Sequence, residues 1–166
     1  KGKRSIVVDF RFPRGQELLT QLICAPFWTT PTPENAPEKD TNLQHGELIT
    51  SIELPKVNFA NKSYYLKVRD RASYAFALVS VAVVFDWKGN SIMNPRIALG
   101  GVAHKPWRAT EAEKILSGAT ATEENFKKAA EAAMKDAKAL KHNKFKVELG
   151  KRAIVRALNM AWNGKA

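Results

Sequence analysis

The chain has 166 residues, 45% of them apolar, which suits one domain with a proper core. Its formal net charge of +11 raises nucleic acid or an anionic membrane surface as a partner, but the basic residues are scattered from Lys1 to Lys165 and no base-stacking aromatics alternate with them. The lone Cys24 excludes an internal disulfide, and no CxxC or Cys/His spacing offers a metal site.

Arg4 to Phe12 alternates loosely, as a short strand does. Asp9 and Arg11 interrupt the apolar character a signal peptide needs, and the chain starts without Met, so residue 1 is expected to be a cut point and the compartment is left open. Gly15 to Ile23 suits a helical turn or two. Pro26, Pro31, Pro33 and Pro37 rule out a regular element up to Asn42 and predict a surface loop. Residues 1–45 are thus expected to be a linker and Pro-rich loop, and 46–166 the domain proper. Glu47 to Leu54 patterns as a strand, with Leu48, Thr50, Ile52 and Leu54 on one face and Ile49 on the other.

Tyr64 to Val68 is predicted as a further strand. It holds Lys67, and Arg69-Asp70-Arg71 follow; taken alone these charges read as a solvated cluster with local ion pairs. From Phe76 to Trp87 almost every residue is apolar, predicting a strand buried on one face and nearly buried on the other, and too short to cross a membrane as a helix. Lys88-Gly89-Asn90 supplies turn chemistry. Ser91 to Val102 resumes as a second strand, with Pro95 where no ladder donor is needed. Gly100-Gly101 belongs to neither a GxGxxG nor a GxxxxGK[ST] motif and is expected to be a tightly packed strand end covered by His104, Lys105 and Trp107.

The period then changes. Thr110-Glu-Ala-Glu113 has the form of a capping box opening a short helix that Gly118 closes. Thr122 starts a second helix, with Phe126, Ala129, Ala130, Ala133 and Ala137 at helical spacing. A last helix, from about Lys144 to Trp162, sets Val147, Ile154, Val155, Leu158, Ala161 and Trp162 against a polar stripe of Glu148, Arg152 and Arg156. Strands followed by helices predict an α+β fold: a small antiparallel β-sheet with helices packed on one side. No nucleophile, base and orienting residue can be grouped from the sequence, which argues against a stand-alone hydrolase or transferase.

Several of these stretches, in one order, resemble the C-terminal domain of the FAD-binding (medium) subunit of the xanthine dehydrogenase and carbon monoxide dehydrogenase family of molybdenum hydroxylases. They are Gly46-Glu-Leu-Ile-Thr-Ser-Ile-Glu-Leu-Pro55, Lys67-Val-Arg-Asp-Arg-Ala-Ser73, Phe76-Ala-Leu-Val-Ser-Val-Ala82, Leu99-Gly-Gly-Val-Ala-His-Lys-Pro-Trp-Arg108 with Glu111-Ala-Glu113, and Asn143-Lys-Phe-Lys-Val147 with Lys151-Arg152. The wording is most similar to bacterial aldehyde oxidoreductase flavin subunits. The resemblance implies an oxidoreductase subunit that shares FAD with an N-terminal FAD domain of the same subunit. It further implies a large subunit carrying the molybdenum cofactor and a small subunit carrying iron–sulfur clusters, with electrons passing through the clusters to FAD and on to an acceptor. Neither nucleic acid nor membrane is then an expected partner.

Two residues take on roles by the same resemblance. Ile49 matches an aliphatic residue that packs on the flavin ring, where an apolar side chain excludes water. Lys67 matches a lysine that approaches the ring, where an ammonium would stabilise the negative charge that reduction brings to its pyrimidine end. The Gly-rich domain that holds the flavin diphosphate is absent from this sequence, so the chain alone is expected to bind FAD weakly or not at all. Two alternatives stay open: a basic nucleic-acid-binding module, supported only by charge, and a purely structural assembly domain.

Overall fold

The computed structural model describes residue 46 and residues 62–164. Ile49, its expected strand, Cys24 and the linker and loop expected over 1–45 lie outside the described residues. Among the described residues, four strands form one sheet in the order β1 (Lys62–Val68), β2 (Val79–Lys88), β3 (Ser91–Gly100) and β4 (Trp107–Arg108), each antiparallel to its neighbours. Three helices follow: α1 (Thr110–Leu116), α2 (Glu123–Ala133) and α3 (Phe145–Asn163). This is the α+β architecture that the sequence predicts.

Alternation along the strands decides where the core lies. Val79, Val81, Val83 and Phe85 of β2, with Ile92, Ile97 and Leu99 of β3, are buried against Ala112 and Leu116 of α1, Phe126, Ala129 and Ala130 of α2, and Ile154, Ala157 and Leu158 of α3. Small alanines on the helices let their backbones approach the sheet closely, so the β-branched side chains fill the space between the layers. The intervening residues Ser80, Ala82 and Val84 point to the other face and are buried as well, which accounts for the unbroken apolar run of β2.

Gly89, at φ +61°, takes the first position of the two-residue turn between Lys88 and Ser91, where a left-handed residue matches the twist of the paired strands. The register then slips: Val84 pairs with Arg96 and Asp86 with Met93, so Asn94 and Pro95 together oppose Phe85. Pro95 has no N–H to donate, and this bulge is where the ladder asks for none.

Three expectations need correction. β2 begins at Val79, not Phe76, whose side chain is 98% exposed; the Leu78 N–H donates to Val68 O at 2.8 Å and closes a loop over 69–78 before the strand starts. The capping box at Thr110 does not form, since α1 is preceded by Ala109 with no side-chain cap and Glu113 turns inward to the sheet. Ala137 falls beyond the end of α2, which stops at Ala133. Thr122 does cap that helix, its hydroxyl accepting from the Asn125 N–H at 3.3 Å.

Candidate functional site

Lys67 lies on β1, at one edge of the described strands, and the alternation fixes its direction. Tyr64, Leu66 and Val68 pack on the core, so Lys67 and Tyr65 project from the opposite face, and both are exposed. Across the sheet Lys67 pairs with Ser80, and Ser80 pairs with Gly100. An ammonium, a hydroxyl and a residue with no side chain thus form one cross-strand row. A Cβ built on Gly100 would come within 2.5 Å of Ser80 Oγ, so the serine leans over the glycine and any side chain there would displace it.

Tyr65 pairs with Ala82 and Ala82 with Ala98, so a second row of small residues runs beside the first. The side chains beside Lys67 are therefore short, with Ser80 and Ala82 buried and Ala98 and Gly100 partly exposed. Lys67 makes neither hydrogen bond nor ion pair among the described residues. An exposed cation without a carboxylate beside it, next to these short side chains, is suited to meet an anionic or electron-rich group from outside.

The loop over 69–78 flanks this row. Arg71 donates to the Tyr74 carbonyl, so one of the three charges of Arg69-Asp70-Arg71 shapes the loop from within. Tyr74 adopts a left-handed φ of +49°, and Tyr74 and Phe76 are among the most exposed aromatics described. Where the loop meets the sheet, Gly101 at φ +75° lies beneath the Ala77 and Leu78 carbonyls; a Cβ there would sit 3.0 Å from Leu78 O. The tight packing expected at Gly100-Gly101 is thus present, and the backbone that Gly101 packs against belongs to the 69–78 loop.

On the helix side Glu113 joins three elements. Its carboxylate accepts from the Ile97 N–H of β3 at 2.8 Å and from Arg108 Nε and Nη2 of β4, with Arg96 Nη1 at 3.9 Å. Only 8% exposed, Glu113 fastens α1 to the sheet edge. Sequence reasoning missed Ser80 and Gly100 as companions of Lys67; only the strand register, which the period-two alternation constrains without numbering, brings the three together. No group of three or more possible metal ligands occurs among the described residues.

The profile of the CO dehydrogenase flavoprotein C-terminal domain matches residues 64–161. The chain belongs to that family. Among its relatives, the aldehyde oxidoreductase FAD-binding subunit PaoB of Escherichia coli (strain K12) is 43% identical over 127 residues, covering 76% of this chain and 36% of PaoB. The glyceraldehyde dehydrogenase medium chain of Sulfolobus acidocaldarius is 45% identical over 78 residues, covering 47% of this chain and 27% of that protein. In three dimensions the domain is similar to a chain of the carbon monoxide dehydrogenase from Hydrogenophaga pseudoflava. That match has a TM-score of 0.67 at 29% identity and covers 76% of this chain and 45% of the other. The matches therefore span less than half the length of each of these proteins. In the flavoprotein domain so defined, Lys67, the 69–78 loop, the Gly100-Gly101 strand end, α1, α2 and all but the last two residues of α3 fall within the matched residues.

Proposed function

We propose that the chain is the C-terminal domain of the FAD-binding subunit of a molybdenum hydroxylase that oxidises an aldehyde, and that it supplies one wall of the flavin pocket. Belonging to the flavoprotein family and being 43% identical to a FAD-binding subunit of an aldehyde oxidoreductase support this reading. The observation that carries it at the residue level is the unpaired Lys67 beside Ser80 and Gly100.

These residues fit the group. The partly exposed residues of this face, Gly100 and Ala98, are small, and a Cβ at Gly100 would disturb it, as expected where a flat ring approaches a sheet. FAD, when bound, supplies a redox centre able to take electrons from iron–sulfur clusters and pass them to an acceptor. Lys67 holds a positive charge at the ring-facing rim and so favours the form carrying more negative charge. Ser80 Oγ, leaning over Gly100, orients the surface beside it. Ile49 is the aliphatic contact proposed for the ring.

The test is to produce the complete FAD-binding subunit with its molybdenum and iron–sulfur partners, and to compare FAD content and aldehyde-dependent acceptor reduction with those of a Gly100→Val variant. Loss of FAD or of electron transfer in the variant, with the subunits still assembled, supports the pocket. Full FAD content and full turnover in Gly100→Val would remove this face from it.

A further inference from the structure

The connection between α2 and α3 carries an unusual charge pattern. Between residues 135 and 146 stand five lysines, Lys135, Lys138, Lys141, Lys144 and Lys146, against one aspartate, Asp136. Elsewhere on the helical layer lysines are matched: Lys114 with Glu111 at 2.7 Å, Lys127 with Glu123 at 2.7 Å, Lys128 with Glu124 at 2.8 Å and Lys151 with Glu131 at 3.1 Å. Lys146, in the first turn of α3, donates to the Gly101 carbonyl at 3.0 Å, while Lys135, Lys138, Lys141 and Lys144 are exposed and have no ion-pair partner among the described residues. Like charges so close together repel one another unless something outside the chain compensates them.

The same connection walls a cavity of about 190 Å³, lined by Val102 and Trp107 from the sheet side, by Met134 just past α2, by Ala137 of the connection and by Val147 of α3, with Lys138, Lys146 and Asp136 also on its lining. Dry apolar cavities of roughly 150 Å³ take up a molecule the size of benzene, so this one has room for a single large apolar side chain. Leu140 on the connection and Phe145, the first residue of α3, are 72% and 52% exposed. Leu140 is held in place rather than hanging loose, since its N–H donates to Asn143 Oδ1 and its carbonyl accepts from the Asn143 N–H. A largely apolar cavity with Lys138 on its lining, and with Lys135, Lys141 and Lys144 unpaired on the same connection, has the anatomy of a protein–protein contact, an apolar centre with a charged rim.

We propose that this lysine-rimmed cavity is a docking surface for another protein subunit, which inserts one large apolar side chain flanked by aspartates or glutamates. A phosphate backbone or a lipid headgroup layer would engage the lysines alone and leave the cavity unfilled, which is why a polypeptide is the occupant favoured. The inference rests on the reading of the chain as part of a multi-subunit enzyme and deepens it by naming the surface and the chemistry of the partner.

The experiment uses the assembled complex of the full FAD-binding subunit with its molybdenum and iron–sulfur subunits. A zero-length carbodiimide, which joins lysines to carboxylates in direct contact, is applied and the joined peptides are identified by mass spectrometry. The expected result is that Lys138, Lys141 or Lys144 is joined to an aspartate or glutamate of another subunit. A K138E/K141E/K144E variant is expected to weaken association by about tenfold or more, increasingly at low salt, with unchanged folding by circular dichroism. Ala137→Trp, which fills the cavity and leaves every lysine, is expected to weaken it too.

A complex in which these lysines join no other subunit and the reversal has no effect overturns the docking surface while leaving the family reading intact. Failure of the unaltered subunit to form any such complex overturns the reading and the inference together. Lysine-dependent binding to duplex DNA or to phosphatidylglycerol vesicles, with subunit association unaffected, also overturns it, by assigning the cations to another class of partner.

Discussion

Lys62, the first residue of β1, is bound to Trp162 in the last turn of α3. Its ammonium donates to the Trp162 carbonyl and lies 4.5 Å from the centre of that indole and 4.9 Å from that of Trp87. Trp162 in turn stacks on Phe85 at 6.2 Å, and Phe85 is the cross-strand partner of Lys62. A cation placed at a helix C-terminus and between two ring faces gains from both the carbonyl and the rings. This contact ties the last helix to the strand that carries Lys67, five residues further on.

Replacing Lys62 by Met keeps the aliphatic stem and removes the charge. The expected loss is about 1 kcal/mol in urea unfolding, the scale of a partly buried cation–π contact with one charged hydrogen bond. A shift in tryptophan emission should accompany it, because Trp87 and Trp162 lose their cation. An unfolding midpoint equal to that of the unaltered protein would show the contact to be idle.

Glu113→Ala leaves the Ile97 N–H without its acceptor and takes the carboxylate away from the Arg108 guanidinium and from Arg96 at 3.9 Å. Because Arg96 and Arg108 are more than one-third exposed and can turn to water, the expected loss is about 2 kcal/mol, below that of a fully buried pair. Glu113→Gln retains an acceptor for Ile97 and should lose roughly half as much. Equal losses in the two variants would assign the stabilisation to charge alone.

Gly101 and Gly89 both have positive φ, but only Gly101 faces backbone where a Cβ would go. Gly101→Ala should therefore cost about 2–3 kcal/mol, from a left-handed residue plus the displaced Leu78 carbonyl, whereas Gly89→Ala, with nothing within 4 Å, should cost about 1 kcal/mol. Thermal melts of the two variants read the difference directly. A reversed order would mean that the 69–78 loop gives way easily.

Glu123 and Glu124, in the first turn of α2, titrate below the ordinary carboxylate value, chiefly because hydrogen bonds from Lys127 and Lys128 hold the charged form and secondly through charge attraction. A lowered folded value adds stability above the unfolded value, and that part is lost as pH falls through the folded one. Both carboxylates are fully exposed, so the contribution is small and screened by salt. Comparing the protein with E123Q/E124Q, the stability difference should be constant near neutral pH and shrink between about pH 5 and pH 3. A difference that grows on acidification would contradict the pairing.

Much of the fold was legible because the residues state it plainly. The Val-rich run of β2, the Gly89 turn, the Thr122 cap and the α3 stripe each combine pattern with local chemistry. Errors arose where tertiary contacts overrode local signals. Glu113 has the spacing of a capping box, yet a buried N–H on β3 and an arginine on β4 offer it more than the helix N-terminus does. Phe76 continues an apolar run, but the backbone bond between Leu78 and Val68 starts the strand later. Lys67 was singled out only through the resemblance of its surroundings to the flavoprotein family. Its neighbours Ser80 and Gly100 needed the register, because residues 13 and 33 positions away in sequence carry no local mark of being adjacent.

The central claim is that Lys67 presents its charge to a flavin ring. The most direct measurement is the flavin midpoint potential in the assembled enzyme, with Lys67 and with Lys67→Met, at equal FAD content. The expected result is a fall on the order of 20 mV in the variant, largest at low ionic strength, since an exposed cation contributes modestly and 30 mV corresponds to about 1.4 kcal/mol for a two-electron couple. An identical potential in the two proteins at every ionic strength would contradict the account.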